Sequence, residues 1–287
     1  MEQRTMISPE EYQTFFIEDV LPLVPAEIQA AIQQQYPRIT LFPQANSIPL
    51  AQMPVVMLVA FTGTGKTTTL KQLALLREQG DVIYVEDIPT RRELADFIII
   101  PTAQVISGKP VAPVADRIER FNLTAQFTQI VAPGGFAQAY SWLYYHTDNP
   151  VTVVSDGIRG KTEITYALNH NPGWRVFEIF IDTVSRLVRL SKRQDEFDQA
   201  EDSEDLSFLP IGLRKKAKRL LEMGDITPEA IAIMRAEAQN YGIEPYAPSG
   251  TLRGYRILQT DRLKPHKVAQ ALADYIRQLS SEEPKEV

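Results

Sequence analysis

The chain contains no cysteine, which excludes disulfides, thiolate nucleophiles and cysteine-ligated metal centres. Histidine is almost as scarce. His146, His170 and His266 are far apart in sequence, a spacing that argues against a zinc site. No apolar run approaches the roughly 18 residues that a membrane helix requires. Basic charge is in deficit: 30 Lys and Arg against 36 Asp and Glu give a formal net charge of −6. That balance opposes a long nucleic-acid surface but leaves room for a local basic patch. Met1-Glu2-Gln3-Arg4-Thr5 lacks the basic-then-apolar layout of a signal peptide. A cytoplasmic protein with no membrane partner is expected. The remaining composition, 44% hydrophobic and 23% charged over 287 residues, suits a folded globular chain.

One segment carries the chemistry. Residues 55–69 read Val-Val-Met-Leu-Val-Ala-Phe-Thr-Gly-Thr-Gly-Lys-Thr-Thr-Thr. An apolar run suited to a buried strand gives way to a glycine loop ending in Gly65-Lys66-Thr67. Successive N–H groups in such a loop point inward at an anion, and the following helix adds its positive dipole end. Gly63 and Gly65 permit torsions and an approach that a Cβ would block. Thr62, Gly63, Thr64, Gly65, Lys66, Thr67 and Thr68 are the expected nucleotide-binding residues. Lys66 can reach the β- and γ-phosphates, and the Thr67 hydroxyl can ligate Mg²⁺. The implied cofactors are ATP or GTP, and Mg²⁺.

From Val55 onward strand and helix alternate. Strands are predicted at 55–60, 81–85, 151–155, 176–181 and 255–259, with helices at 66–79 and 265–279. Continuous β-branched and apolar runs separated by helices mean a parallel sheet buried on both faces, in a doubly wound α/β fold. Ligands of such sheets bind at the carboxyl ends of the strands. Residues 1–53 read as a helical extension packed on the core. Ser8-Pro9-Glu10-Glu11 forms a capping box, Pro25-Ala26-Glu27 opens a second short helix, and 37–54 is irregular. Two stretches interrupt the rhythm, 86–150 and 195–250. The second holds an acidic run, Asp195 to Asp205, and a basic run, Arg214 to Arg219. A helix follows, opened by Thr227-Pro228-Glu229 and stopped near Gly242. Such charge runs are ordinarily solvated faces.

Further residues bear on reactivity. Asp156 follows the third strand in Ser155-Asp156-Gly157-Ile158-Arg159. A carboxylate there can hold Mg²⁺ or its water shell; the alternative is a plain Asp-Gly turn. Glu86-Asp87 ends the second strand, and Asp87 can take the proton of an acceptor hydroxyl as general base. Arg91 and Arg92 follow and can hold an anionic acceptor by bidentate hydrogen bonds, unless the segment is simply a solvated loop. Arg186, Arg189 and Arg193 share one helical face through spacings of three and four. They can surround a phosphoryl group in transfer, or face solvent paired with Asp182 or Asp195. Pro133-Gly134-Gly135-Phe136 opens a helix whose amides can take an anion, although such a pair is more often a turn. Tyr140, Trp142, Tyr144 and Tyr145 are more often core than a base-stacking platform.

Together these motifs resemble the P-loop kinases of the nucleotide, nucleoside and shikimate kinase type. The loop is similar to their Walker A motif, with Ala60 in place of the first glycine. Asp156-Gly157 looks like the Asp-Gly at the third strand of nucleoside monophosphate kinases, with Arg159 one position earlier than the adenylate kinase pattern places its arginine. Arg186 to Arg193 is similar to the arginine-bearing entry to the mobile lid. Tyr255 to Asp261, then Pro265 onward, looks like the last strand and helix, where the family's adenine-side residues lie. The likeness covers about residues 54–200 and 254–280.

The resemblance implies a P-loop NTPase fold over 54–287, with a five-stranded sheet in the order 2-3-1-4-5. It makes 86–150 an acceptor-binding region and 195–250 an enlarged helical lid. With the residue roles above, it implies an ATP-dependent phosphotransferase moving the γ-phosphate to a small-molecule acceptor such as a nucleoside, nucleotide or sugar. Lys66, Asp87, Asp156, Arg189 and Arg193 would be catalytic, Arg91, Arg92 and Arg159 would bind the acceptor, and Thr67 and Asp156 the metal. Region 86–150 matches no subfamily, so the acceptor itself is not implied. Two other functions fit the loop: an ATPase coupling hydrolysis to a protein or nucleic-acid partner, and a nucleotide-binding module that signals without transfer. A polynucleotide 5′-hydroxyl kinase is a special case of the first reading, supported by Arg214 to Arg219 and opposed by the acidic total.

Overall fold

A computed structural model describes residues 8–147, 151–192, 204–247 and 252–281. The Ser8 hydroxyl accepts from the Glu11 N–H at 3.2 Å and the Glu11 carboxylate from the Ser8 N–H at 2.8 Å. This box opens α1 (Pro9–Phe15), which continues through a π-helical turn, Phe16–Val20, toward α2 (Ala26–Gln35). Next come β1 (Ile39–Thr40), β2 (Ser47–Pro49), β3 (Val55–Ala60) and α3 (Lys66–Glu78). A π-helical turn, Ala95–Ile99, joins α4 (Arg91–Leu94) to α5 (Ile100–Ile106). The chain goes on through α6 (Arg117–Ile130), α7 (Gly135–Ser141), β4 (Tyr144–His146), β5 (Val153–Ser155), α8 (Gly160–His170) and β6 (Trp174–Phe180). It closes with α9 (Thr183–Ser191), α10 (Ile211–Glu222), α11 (Pro228–Tyr241), β7 (Tyr255–Gln259) and α12 (Pro265–Ser281).

All six residues of β3 are apolar and all are buried. A strand without a solvent face must be covered on both sides. It lies inside a parallel four-stranded sheet ordered β5-β3-β6-β7. Val55, Met57 and Val59 pack with Phe136 and Tyr140 of α7 and Ile164 of α8. Val56, Leu58 and Ala60 pack on the opposite face with Leu73 of α3 and Leu272 and Ile276 of α12. The result is an α/β architecture in which the loops after β3, β5, β6 and β7 gather at one edge.

The expected fifth strand, 81–85, does not form. Val85 alone pairs, through one parallel bridge to Val153. Its N–H reaches the Thr152 carbonyl and its carbonyl takes the Val154 N–H, each at 2.9 Å. Neighbouring β5 is three residues long and offers little ladder to follow. Pro89, which lacks an N–H, then precedes the Thr90 cap of α4.

The N-terminal residues form two helices, α1 and α2, whose Tyr12 and Ile32 join the core, and they add two short strands, β1 and β2. β4 pairs antiparallel with both β1 and β2 in a separate three-stranded sheet. Tyr12 of α1 stacks on Trp142 at 4.0 Å, and its hydroxyl lies 2.9 Å from the Thr102 hydroxyl. Residues 8–53 are therefore woven into region 86–150. Tyr140 and Trp142 are buried, as core aromatics are. In the insertion, α10 and α11 fold onto α9 around Leu187, Leu190, Leu209, Ile231 and Met234. Asp205, the last residue of the acidic run, pairs with Arg235 at 3.4 Å; most of that run lies outside the described residues.

Candidate functional site

Past the carboxyl end of β3 the glycine loop begins. Gly63 and Gly65 have φ of +84° and +98°, left-handed values that a residue with a Cβ adopts only under strain. Gly65 is the N-cap of α3, a helix of 13 residues, so the loop ends on unpaired helix-start donors. The Thr64 hydroxyl donates to the Phe61 carbonyl at 2.8 Å and that of Thr69 to the Gly65 carbonyl at 3.1 Å. Those two side chains serve the loop itself. Thr67 and Thr68 are exposed, and their hydroxyls have no partner among the described residues.

Lys66 Nζ stands 2.5 Å from Asp156 Oδ2. The reason is topological: β5 is the parallel neighbour of β3, so the residue just past β5 arrives beside the residue that opens α3. The two side chains are 21% and 31% exposed, so the pair borders solvent. Glu86, which precedes the expected base Asp87, belongs to the same neighbourhood. Burial raises the Glu86 pKa, Arg77 at 3.9 Å opposes the rise, and the charge of Asp156 adds to it.

α9 runs against the loop. Asp182 fixes its start, accepting from the Val184 and Ser185 N–H groups at 3.1 and 3.0 Å. A Cβ on Gly65 would stand 3.9 Å from the Arg189 guanidinium. Arg189 is exposed and has no ionic partner among the described residues. Arg193 lies outside the described residues. Arg186 departs from the expected row of outward arginines: it is 3% exposed, and its Nε donates to the Thr62 carbonyl at 2.8 Å. Its guanidinium lies 4.8 Å from the Phe61 ring centre and forms an ion pair with Glu237 of α11. Burial pulls the Arg186 pKa down to about 9, which leaves it charged at neutral pH. Glu237 also accepts from the Thr62 hydroxyl at 2.6 Å and the Thr62 N–H at 3.3 Å. Thr62, expected to bind nucleotide, thus has both donors committed to a carboxylate far away in sequence.

On the opposite side, Asp87 is held by Tyr145 of β4. The phenol donates to both carboxylate oxygens, at 2.8 and 2.7 Å, and Arg38 donates to the phenol oxygen at 3.4 Å. Burial first, then Asp87, pushes the Tyr145 pKa up to about 12, so it remains a donor.

Arg91 is not free to hold an acceptor. Its guanidinium makes paired hydrogen bonds to Glu163 at 2.7 and 2.9 Å and a third to the Gly157 carbonyl at 2.9 Å, over the Phe136 ring at 3.5 Å. Arg92 lines a different space, a cavity of about 480 Å³ bounded by Ile28, Ile32, Ile100 and Val114. Consecutive helical residues point about 100° apart, so the two arginines cannot serve one site. Arg159 is placed differently. Its N–H donates to Glu163 at 2.7 Å, while its Nε is buried with no partner among the described residues. Burial, then the charge of Arg91, lowers its pKa, and Asp156 acts on it in the opposite sense. The Gly134-Gly135 helix start is filled from within. The Tyr166 ring packs on Gly134, and a Glu163 carboxylate oxygen lies 3.1 Å from where a Cβ of Gly135 would stand.

Chemically, the edge of the sheet offers helix-start amides, a lysine–carboxylate pair, uncommitted threonine hydroxyls, and the cations Arg189 and Arg159. Such a set suits a multiply charged anion held with a divalent cation. No family model and no curated protein matches this chain.

Proposed function

We propose that the chain is an ATP-dependent phosphotransferase acting on a small-molecule acceptor, built on a P-loop NTPase plan whose second strand is reduced to the Val85 bridge. The observation that carries this reading is the Lys66–Asp156 contact at the ends of adjacent parallel strands, at the glycine loop. Loop amides and Lys66 bind the nucleotide's phosphates. Thr67, Asp156 and Glu86 offer the hard oxygen donors that Mg²⁺ takes. One hydroxyl and two carboxylates leave positions for phosphate oxygens on such a cation. Bound there, Mg²⁺ would supply charge neutralisation at the phosphates.

Asp87, oriented by Tyr145, takes the acceptor's hydroxyl proton as the new O–P bond forms. The bond from the γ-phosphorus to the bridging oxygen breaks, and ADP leaves. Arg189 offsets charge on the phosphoryl group, and Arg159 supplies a cation for an anionic part of the acceptor. Residues 8–53 take part indirectly, because β1 and β2 flank the strand that carries Tyr145.

Titration calorimetry tests the site. Mg-ATP or Mg-GTP should bind the parent chain, and Lys66→Ala should abolish turnover. ADP production should jump when one compound of a metabolite panel is added. A chain that ignores both nucleotides with metal present refutes the proposal.

A second reading, an ATPase coupled to a nucleic acid or acidic protein, has one specific observation in its favour. α10 exposes Lys215, Lys216, Lys218 and Arg219 on the insertion that touches the loop. Slow hydrolysis indifferent to every metabolite but accelerated by nucleic acid would favour it.

A further inference from the structure

Thr62, Glu237 and Arg186 form a closed ring. One Glu237 oxygen accepts from the Thr62 N–H and hydroxyl, the other pairs with Arg186, and Arg186 returns to the Thr62 carbonyl. Every polar atom of Thr62 is thereby engaged, by side chains from two helices. α9 adds a steric contact, since Leu190 carbon atoms lie 3.0 and 3.1 Å from where a Cβ of Gly63 would stand. Glu237 is 8% exposed and Arg186 3%. A buried ion pair of this kind contributes little net stability over apolar side chains of the same size, because desolvation offsets the attraction. What it supplies instead is geometry: two charged groups with fixed partners allow few arrangements of the loop between them.

We infer that Glu237 and Arg186 are positioning residues that set the shape of the 62–65 loop, so that the packing of the insertion and the affinity of the loop for phosphates are coupled. This rests on the phosphotransferase reading for its ligand, but not for its geometry. Neither side chain needs to touch the nucleotide, and each acts through Thr62. The coupling is reciprocal: a ligand that orders the loop must also tighten α11 against α9.

Two variants test this. Glu237→Gln keeps an acceptor for the Thr62 hydroxyl and leaves Arg186 uncompensated. Arg186→Met and Glu237→Leu are combined in the second variant, which removes both charges and keeps apolar volume. Hydrogen exchange is measured at Thr62 to Gly65 without ligand, and Mg-ATP affinity by calorimetry. Glu237→Gln should speed exchange at the Thr62 amide and weaken Mg-ATP by roughly tenfold, the equivalent of one charge-assisted hydrogen bond. The double variant should regain the parent's melting temperature, yet keep fast loop exchange and weak binding. A double variant that matches the parent in both loop exchange and affinity overturns the inference, since the ring would then only fill space. Should the parent bind no nucleotide while exchange responds as stated, the positioning role stands and the nucleotide reading falls.

Discussion

Replacing Arg91 with methionine should destabilise the fold far more than it alters any recognition of the acceptor. The guanidinium is 17% exposed and its partner Glu163 10%, so the change strands a carboxylate in a dry setting. Removing one partner of a buried pair costs about 3–5 kcal/mol. The hydrogen bond to the Gly157 carbonyl and the stacking on Phe136 disappear with it, though these losses overlap rather than add. For a chain of this size the fall in melting temperature would be on the order of 10 °C. Urea unfolding followed by circular dichroism gives the free energy directly. Adding Glu163→Leu should restore part of it, because an apolar pair of similar volume is commonly as stable as the ionic one, while the Arg159 N–H still loses its acceptor. An acceptor-binding Arg91 predicts the reverse: an unchanged midpoint and a raised KM for the acceptor. A variant within about 1 kcal/mol of the parent, an effect typical of exposed sites, would refute the scaffold role.

Two further outcomes follow from the packing. Burial raises the pKa of Glu178, which accepts from the Tyr255 hydroxyl and, at 3.1 Å, from the Tyr246 N–H. Between the ordinary glutamate range and that raised value the folded chain holds a proton that the unfolded chain has released, so stability falls as pH rises through the window. Glu178→Gln should therefore flatten the pH dependence of the melting temperature on the alkaline side of pH 4, and an unchanged slope would contradict the assignment. Trp142→Ala should cost about 3–5 kcal/mol, as large aromatic truncations do. It should also speed proteolysis within residues 9–35, since Tyr12 loses its stacking partner; cleavage at the parental rate would show that α1 is anchored elsewhere.

What the sequence disclosed was local. The β3 run, the glycine loop and the opening of α3 lie within fifteen consecutive residues, and short-range rules suffice for them. Asp156 was legible because the residue after a strand beside β3 must come to the loop edge. The capping residues Ser8 and Thr227 read correctly for the same local reason. Long-range pairing left no such trace. Arg91 looks like a free cation until Glu163, 72 residues on, is brought to it. Glu237 lies 175 residues from Thr62, in a helix whose pattern shows only an apolar face. Strands β1 and β2 are two and three residues long, too short for alternation to register. At 81–85 the apolar pattern was strand-like, but a strand needs a neighbour long enough to pair with, and β5 ends after three residues.

The placement of β4 bears on how the chain is made. Its partners Ile39 and Ile48 both sit across from Tyr145, so they leave the ribosome roughly a hundred residues ahead of it, a wait of about 5–20 seconds at usual elongation rates. During that interval the early segments have no ladder to join. Pairing of residues 39–49 must wait for residues 144–146, and the nascent stretch is a natural client for chaperones. The same threading means that a fragment begun at the glycine loop would carry Tyr144–His146 with both edges bare, an invitation to self-association.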